Sequence, residues 1–350
     1  MDSPTPPSDL FVNFCSDLFN EVNKKVLRKN AYLLDNNYLS TVGDSLISKC
    51  HVILTLYIEK RNHRLRPLNR EVFRSRHLHN KLDDYLAHGL SLSDVRGVAE
   101  VERKSIAGID LFCHYNKCVA RLPIKHENQD KLFNDWNILH FHLGPKMEEK
   151  REFIDRSRFV LMVYPTDNAL YFLDIYPHDQ KIDPDPWYKK ELVEIIHSEW
   201  PDIIAHCRMP SSVLKVHLEI DDQIVQSFRG ETDRHKKAAK SSRNPYTFSL
   251  TYPLQTQDGT PYFTFGGGLQ TNGFRTSSVR KINQVMTRIK NAERFIVEKP
   301  GRVRHMIYQQ KGKIVTNFKV AIKVKSDHFW DCRIEVFETT TGTILDTFSI

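Results

Sequence analysis

The residues whose types and spacing could do chemistry lie in two short apolar runs. "NILHFHLG" (137–144) sets His140 and His142 one residue apart, and "LYFLDIYPH" (170–178) sets Asp174, Tyr176 and His178 at the same every-other-residue interval. Side chains alternate faces along a strand. His140 and His142 therefore share a face, with Leu139, Phe141 and Leu143 on the other. In the second run Phe172, Asp174, Tyr176 and His178 share one parity, and Tyr171, Leu173 and Ile175 the other. With "RFVLMVYP" (158–165) between or beside them, the two polar sets meet in one site, and Arg156 and Arg158 stand at its rim.

Two chemistries fit such a site. A His-x-His strand with an Asp and a third His on a neighbour offers ligands for a divalent metal. Metal-independent RNA cleavage needs a base for the ribose 2′-hydroxyl, an acid for the leaving oxygen and a cation for the phosphate. Histidine titrates near neutrality and suits the first two roles; arginine suits the third. In the cleavage reading His140 and His142 are acid and base, Asp174 orients a histidine, Arg156 or Arg158 holds phosphate, and Tyr176 and His178 complete the pocket. No cofactor is then required. A third reading makes these side chains structural, since a chain with 16 histidines contains HxH by chance.

The elements that position these runs are legible from periodicity. Leu10, Phe14, Leu18, Val22 and Val26 recur every four residues and predict a helix over 8–30, capped by Ser8 or Asp9. Residues 44–62 read as a second, buried helix, and the basic stretch 65–90 as a third ending near Gly89; a cap at Ser91 or Ser93 opens another. A short helix at "ENQDKLFNDW" precedes the histidine strand, "PTDN" turns "RFVLMVYP" into "ALYFLDIYPH", and "WYKKELVEIIHSEW" reads as a helix on the sheet. "VLKVHLEI" and "QIVQSF" suggest further strands. Beyond them "YTFSLTYPL", "PYFTFGGGL", "KIVTNFKVAIKVK" and "CRIEVFETTTGTILDTFSI" read as strands around one helix, "TSSVRKINQVMTRIKNAERFIV". The fold expected is α+β: a helical N-terminal region (1–99), an α+β module with a short, mostly antiparallel sheet (100–228), a basic linker (229–245) and a β-rich C-terminal module (246–350).

Several segments suggest polyanion contacts. Lys236, Lys237 and Lys240 lie in the linker, and Arg280, Lys281 and Arg288 lie off the apolar stripe of the C-terminal helix. "FGGGLQTNGFRTSS" has the four-residue gap of a phosphate loop between Gly268 and Gly273, but Phe274 stands where the lysine belongs. Phe329 and Trp330 could stack on bases. The net charge of +8 and pI near 9.0 point the same way.

Composition, with 40% hydrophobic and 27% charged residues, is that of a globular protein, and no apolar run of eighteen residues exists. The six cysteines show no CxxC pair, which argues against a disulfide framework and a cysteine zinc site. "MDSPTPPSDLF" lacks the features of a secretory signal. The expectation is a cytoplasmic protein with no membrane partner.

Helices followed by a small antiparallel sheet, with an Arg before "FVLMVY" and a polar end to "FLDIYPH", resemble the RelE-type ribonuclease toxins of bacteria. The likeness covers residues 100–200 at most, with Arg156 or Arg158, Tyr176 and His178 on comparable strand positions; those toxins are much shorter and do not usually depend on an HxH pair. "DWNILHFHLG" is also similar to a run in uncharacterised bacterial defence-associated proteins. The resemblances imply a nucleic-acid-directed effector, a metal-independent ribonuclease-like toxin or phage-defence protein. The alternative is a non-enzymatic nucleic-acid- or protein-binding component of a defence or regulatory complex.

Overall fold

The structure, a computed structural model, describes residues 8–27, 33–34, 45–115, 121–122, 131–145, 153–178, 190–209, 254–266, 275–326 and 329–350. Its helices are α1 (Asp9–Glu21), α2 (Leu46–His63), α3 (Arg76–Asp83), α4 (Leu92–Ile106), α5 (Lys131–Trp136), α6 (Lys190–Glu199), α7 (Thr276–Glu298) and α8 (Pro300–Lys311). The strands are β1 (Leu33–Leu34), β2 (Glu71–Arg74), β3 (Arg121–Leu122), β4 (Leu139–His142), β5 (Phe159–Pro165), β6 (Ala169–Pro177), β7 (Leu254–Gln255), β8 (Pro261–Tyr262), β9 (Val320–Ser326), β10 (Cys332–Glu338) and β11 (Ile344–Ser349). The fold is α+β. Among the described residues no helix is long and apolar enough to cross a membrane.

Contacts gather the chain into two compact units. A split unit comprises Met1–His63, Val119–Lys125 and Ser277–Ile350, and a central unit comprises Arg64–Cys118 and His126–Thr276. The break expected at residue 99 falls inside α4; α1 and α2 belong with the C-terminal strands, and α3 and α4 with the central unit.

In the split unit, Ser8 caps α1 by accepting from the Phe11 N–H, and the helix buries Phe11, Phe14, Cys15 and Leu18. Helix α2 packs on it, burying almost its whole circumference. The sheet is an antiparallel β11-β10-β9 meander. At its β9 edge the N–H groups of Ile322 and Val324 donate to Asp17 and Glu21 of α1. Those carboxylates satisfy donors that would otherwise invite another strand. Helix α8, which the sequence reading omits, starts with Pro300 in its first turn and stops at left-handed Gly312.

In the central unit the sheet order is β2-β6-β5-β4, with β2 parallel to β6 and the other pairs antiparallel. Stretch 65–90 is thus not one helix. Ser75 ends β2, caps α3 through the Leu78 N–H, and donates to the Leu173 carbonyl of β6. Ser91 caps α4 in a reciprocal capping box with Asp94. Asn137, at φ 55°, turns the chain from α5 into β4. Gly97 lets α4 close on the end of the histidine strand, since a Cβ there would lie 2.6 Å from the Leu143 carbonyl oxygen.

Candidate functional site

Register decides which side chains meet. His140 pairs with Met162, which pairs with Asp174; His142 pairs with Val160, which pairs with Tyr176. Directly opposed residues share a face, so His140, His142, Asp174 and Tyr176 lie on one side of one sheet. His178 follows β6; its N–H donates to the Arg158 carbonyl at 2.7 Å, and its ring centroid lies 5.0 Å from that of His142. The His140 ring is 6.1 Å from His142. The parity assigned to Phe172 needs correction. Asp174 pairs with Met162 but Phe172 pairs with Val163, leaving Leu173 as the extra residue of a β-bulge. The bulge turns Phe172 to the opposite face and places Leu173 in the cluster with Val160, Met162 and Tyr176.

The shared face is a core, not a solvated surface. Leu192, Val193 and Ile196 of α6 pack against Val160, Met162 and Tyr176, and His140 and His142 are 5% and 3% exposed. Burial, with His140, His178, Arg156 and His114 nearby, pushes the His142 pKa down to about 3. The imidazole is therefore neutral at pH 7, and its Nδ1 has no hydrogen-bond partner among the described residues. His114, which lies outside both runs, donates from Nδ1–H to the His142 carbonyl at 2.9 Å, and its Nε2 meets Lys104 Nζ at 3.0 Å. A lysine ammonium can only donate, so Nε2 accepts and Nδ1–H donates. Burial is the main reason that its pKa falls to about 4.

Among the described residues Asp174 is not hydrogen-bonded to a histidine. Lys81 of α3 donates to its Oδ2 at 2.9 Å, and the Ile175 N–H donates to Oδ1 at 2.8 Å. The Lys81 ammonium also lies 4.7 Å from the Tyr176 ring centroid. The Tyr176 hydroxyl donates to Glu191 of α6 at 3.0 Å; burial and then the Asp174 and Glu191 charges hold its pKa far above the usual phenol range. Lys81 and Glu191 left no local signal, because each sits on a helix distant in sequence from its partner. Among the described residues no group of three or more His, Cys, Asp or Glu is arranged to hold a metal ion.

Arg156 and Arg158 are exposed at the strand end, where the sequence placed them. Arg158 helps line a cleft of ≈ 240 Å³ with Ser91, Asp94, Leu143, Gly144 and Phe159. The sheet thus brings His140, His142, Asp174, Tyr176 and His178 together, but the groups open to solvent are the two arginines and the partly exposed His178.

The basic residues distribute unevenly. The split unit carries 23 Lys and Arg against 14 Asp and Glu, and the central unit 28 against 29, so the +8 of the chain divides as +9 and −1. Residues 280–319 alone hold eleven Lys and Arg against two Glu. Helix α7 buries Val279, Ile282, Val285, Met286 and Ile289 and exposes Arg280 and Arg288, with Lys281 half-buried beside them. Among the described residues none of those eleven cations is in an ion pair. Phe329 is buried against Tyr57, so it packs the core and cannot stack on a base. Lys236, Lys237, Lys240, Gly268, Gly273, Phe274 and the strands expected at 213–228 lie outside the described residues. No family model, curated protein or solved structure matches this chain.

Proposed function

We propose that the protein is a non-enzymatic nucleic-acid-binding component and that the split unit makes the contact. The observation that carries this reading is the concentration of +9 in that unit, with eleven cations along 280–319 and no ion pairs to neutralise them among the described residues. Exposed, unneutralised Lys and Arg gain most by releasing counterions from a phosphate backbone.

The competing reading is a metal-independent ribonuclease-like effector. His142, His178 and Arg156 within one electrostatic neighbourhood favour it. Against it stands the burial of His142: an imidazole with a pKa near 3 is a weak base and is not protonated at neutral pH, so it cannot serve as the acid. Titrating the protein with labelled RNA and DNA in chelator, at low and moderate salt, separates the two. The binding reading expects intact nucleic acid and a log–log salt slope of roughly −4 to −6, at about 0.9 per phosphate neutralised. Cleavage products that disappear in folded His142→Ala and His178→Ala variants would establish the enzyme instead. Absence of any binding leaves the charge as an aid to solubility.

A further inference from the structure

The exposed face of α7 has a pattern that charge alone does not require. Arg280, Gln284, Thr287, Asn291 and Arg294 are all exposed and recur at intervals of four, three, four and three. On a helix of about 3.6 residues per turn those positions form one line, and from Arg280 to Arg294 it runs roughly 21 Å at ~1.5 Å per residue. The buried residues Ile282, Val285, Ile289 and Ile296 lie on the opposite side. The line reaches its first acid only at Glu298.

Every side chain in that line carries groups that pair with base edges. Arginine takes guanine O6 and N7, glutamine and asparagine take adenine N6 and N7, and threonine meets either a polar edge or the thymine methyl. The cations beside the line stand at its two flanks. Lys281 and Arg288 lie about 80–100° to one side and Lys290 about 80° to the other, counting ~100° per residue. Arg288 lies over the Phe348 ring of β11 at 5.1 Å and Lys290 over the Phe11 ring of α1 at 5.5 Å, so each packs along a neighbouring element while remaining exposed. Base-reading groups along the middle and cations on both sides match a helix lying in a groove between two phosphate walls.

We infer that α7 is a groove-reading helix and that its ligand is the major groove of double-stranded DNA. This rests on the nucleic-acid reading above and narrows it. The B-DNA major groove, about 12 Å wide, admits an α-helix. The corresponding groove of duplex RNA is too deep and narrow for side chains to read. Single strands are gripped chiefly by aromatic stacking, and the line holds no aromatic residue. Its length matches about six base-pair steps at roughly 3.4 Å each.

The test uses the full chain and probes of one sequence, roughly 20 nucleotides long, as duplex DNA, duplex RNA and single-stranded DNA, read by fluorescence anisotropy. Duplex DNA should bind at least ~10-fold more tightly than the other two. Equal or tighter binding of duplex RNA or of the single strand overturns the groove assignment while leaving nucleic-acid binding intact; failure of all three overturns the broader reading. A second arm selects from a random duplex DNA pool. Gln284→Ala/Asn291→Ala should change the enriched sequence at an unchanged salt slope. Arg288→Ala/Lys290→Ala should weaken every sequence alike and reduce the slope by about 2. No enrichment, or an enriched sequence that Gln284→Ala/Asn291→Ala leaves unaltered, overturns the inference.

Discussion

In the central unit, His114, His140, His142 and Asp174 are buried, and Lys81 and Lys104 reach in to them from helices. In the split unit, α7 and α8 turn Arg280, Arg288, Arg302 and Arg304 outward, with no carboxylate paired to them among the described residues. The central unit holds equal numbers of opposite charges to within one, while the split unit holds the surplus. A buried polar group left unmatched, as His142 Nδ1 is among the described residues, costs about 1–3 kcal/mol of desolvation. Exposed cations cost little and stay available to a partner. Polar residues at the histidine strand therefore bear on the stability of their unit, whereas those on α7 stand on its surface.

This contrast can be broken first with acid. In the folded central unit the pKa of His142 is about 3 and that of His114 about 4, both below the unfolded value of 6.5. The unfolded chain binds these protons first, so the stability they contribute is complete above about pH 6.5 and drains as pH falls toward those values. For His142 alone the loss is on the order of 5 kcal/mol. In the split unit Glu338 is held down to about 2 by Thr341 and neighbouring donors that outweigh its burial, so its contribution is lost only below about pH 4.5. Hydrogen exchange at pH 7 and pH 5, corrected for intrinsic rates, should show peptides of the central unit opening first. Earlier opening of α7 or β10 would invert the comparison.

The next largest effect concerns Asp174. Lys81→Met leaves a buried carboxylate without its cation and should cost about 3 kcal/mol in urea unfolding, near the low end for broken buried pairs because Lys81 is partly exposed. Lys81→Met/Asp174→Asn should recover more than half of that loss. If both variants are equally destabilised, the ion pair is not what holds α3 to β6. Gly97→Ala should cost about 2 kcal/mol, since its Cβ meets Leu143 backbone and side-chain atoms at 2.6–3.0 Å. The smallest change should come from Arg280→Ala/Arg294→Ala, within about 0.5 kcal/mol in the same assay. A large loss there would mean that the outward cations are structural after all.

Much of the central sheet was legible in its sequence. Apolar runs bounded by turn signals located β4, β5, β6 and α6, and alternation put His140, His142, Asp174 and Tyr176 on one face. Alternation could not report that both faces of β4 are covered, because covering depends on α6 and on His114, distant in sequence. Strand β2 was hidden in a basic stretch: three of its four residues are exposed, and only pairing with β6 makes it a strand. The bulge at Leu173 carries no turn residue to announce it. Helix α8 did leave a signal, Pro300 and Gly312 at its two ends, which a reading led by apolar periodicity passed over because only Val303 and Ile307 are buried. On α7 the periodic core stripe fixed the exposed line as well, so the candidate interface is the better written of the two regions.

The carboxylate of Asp17 waits for an N–H that is 305 residues further along the chain. During synthesis at roughly 5–20 residues per second, that interval lasts about 15–60 s. Every residue of the central unit leaves the ribosome within it. For that time the apolar side of α1, with Phe11, Phe14 and Leu18, has α2 but not β9 to cover it. All of the central unit is made before β9, and α7 acquires its complete support only afterwards. Until β9 is made the nascent chain thus carries an α1–α2 pair that β9 does not close, which is when a chaperone that binds exposed apolar helices would have its substrate.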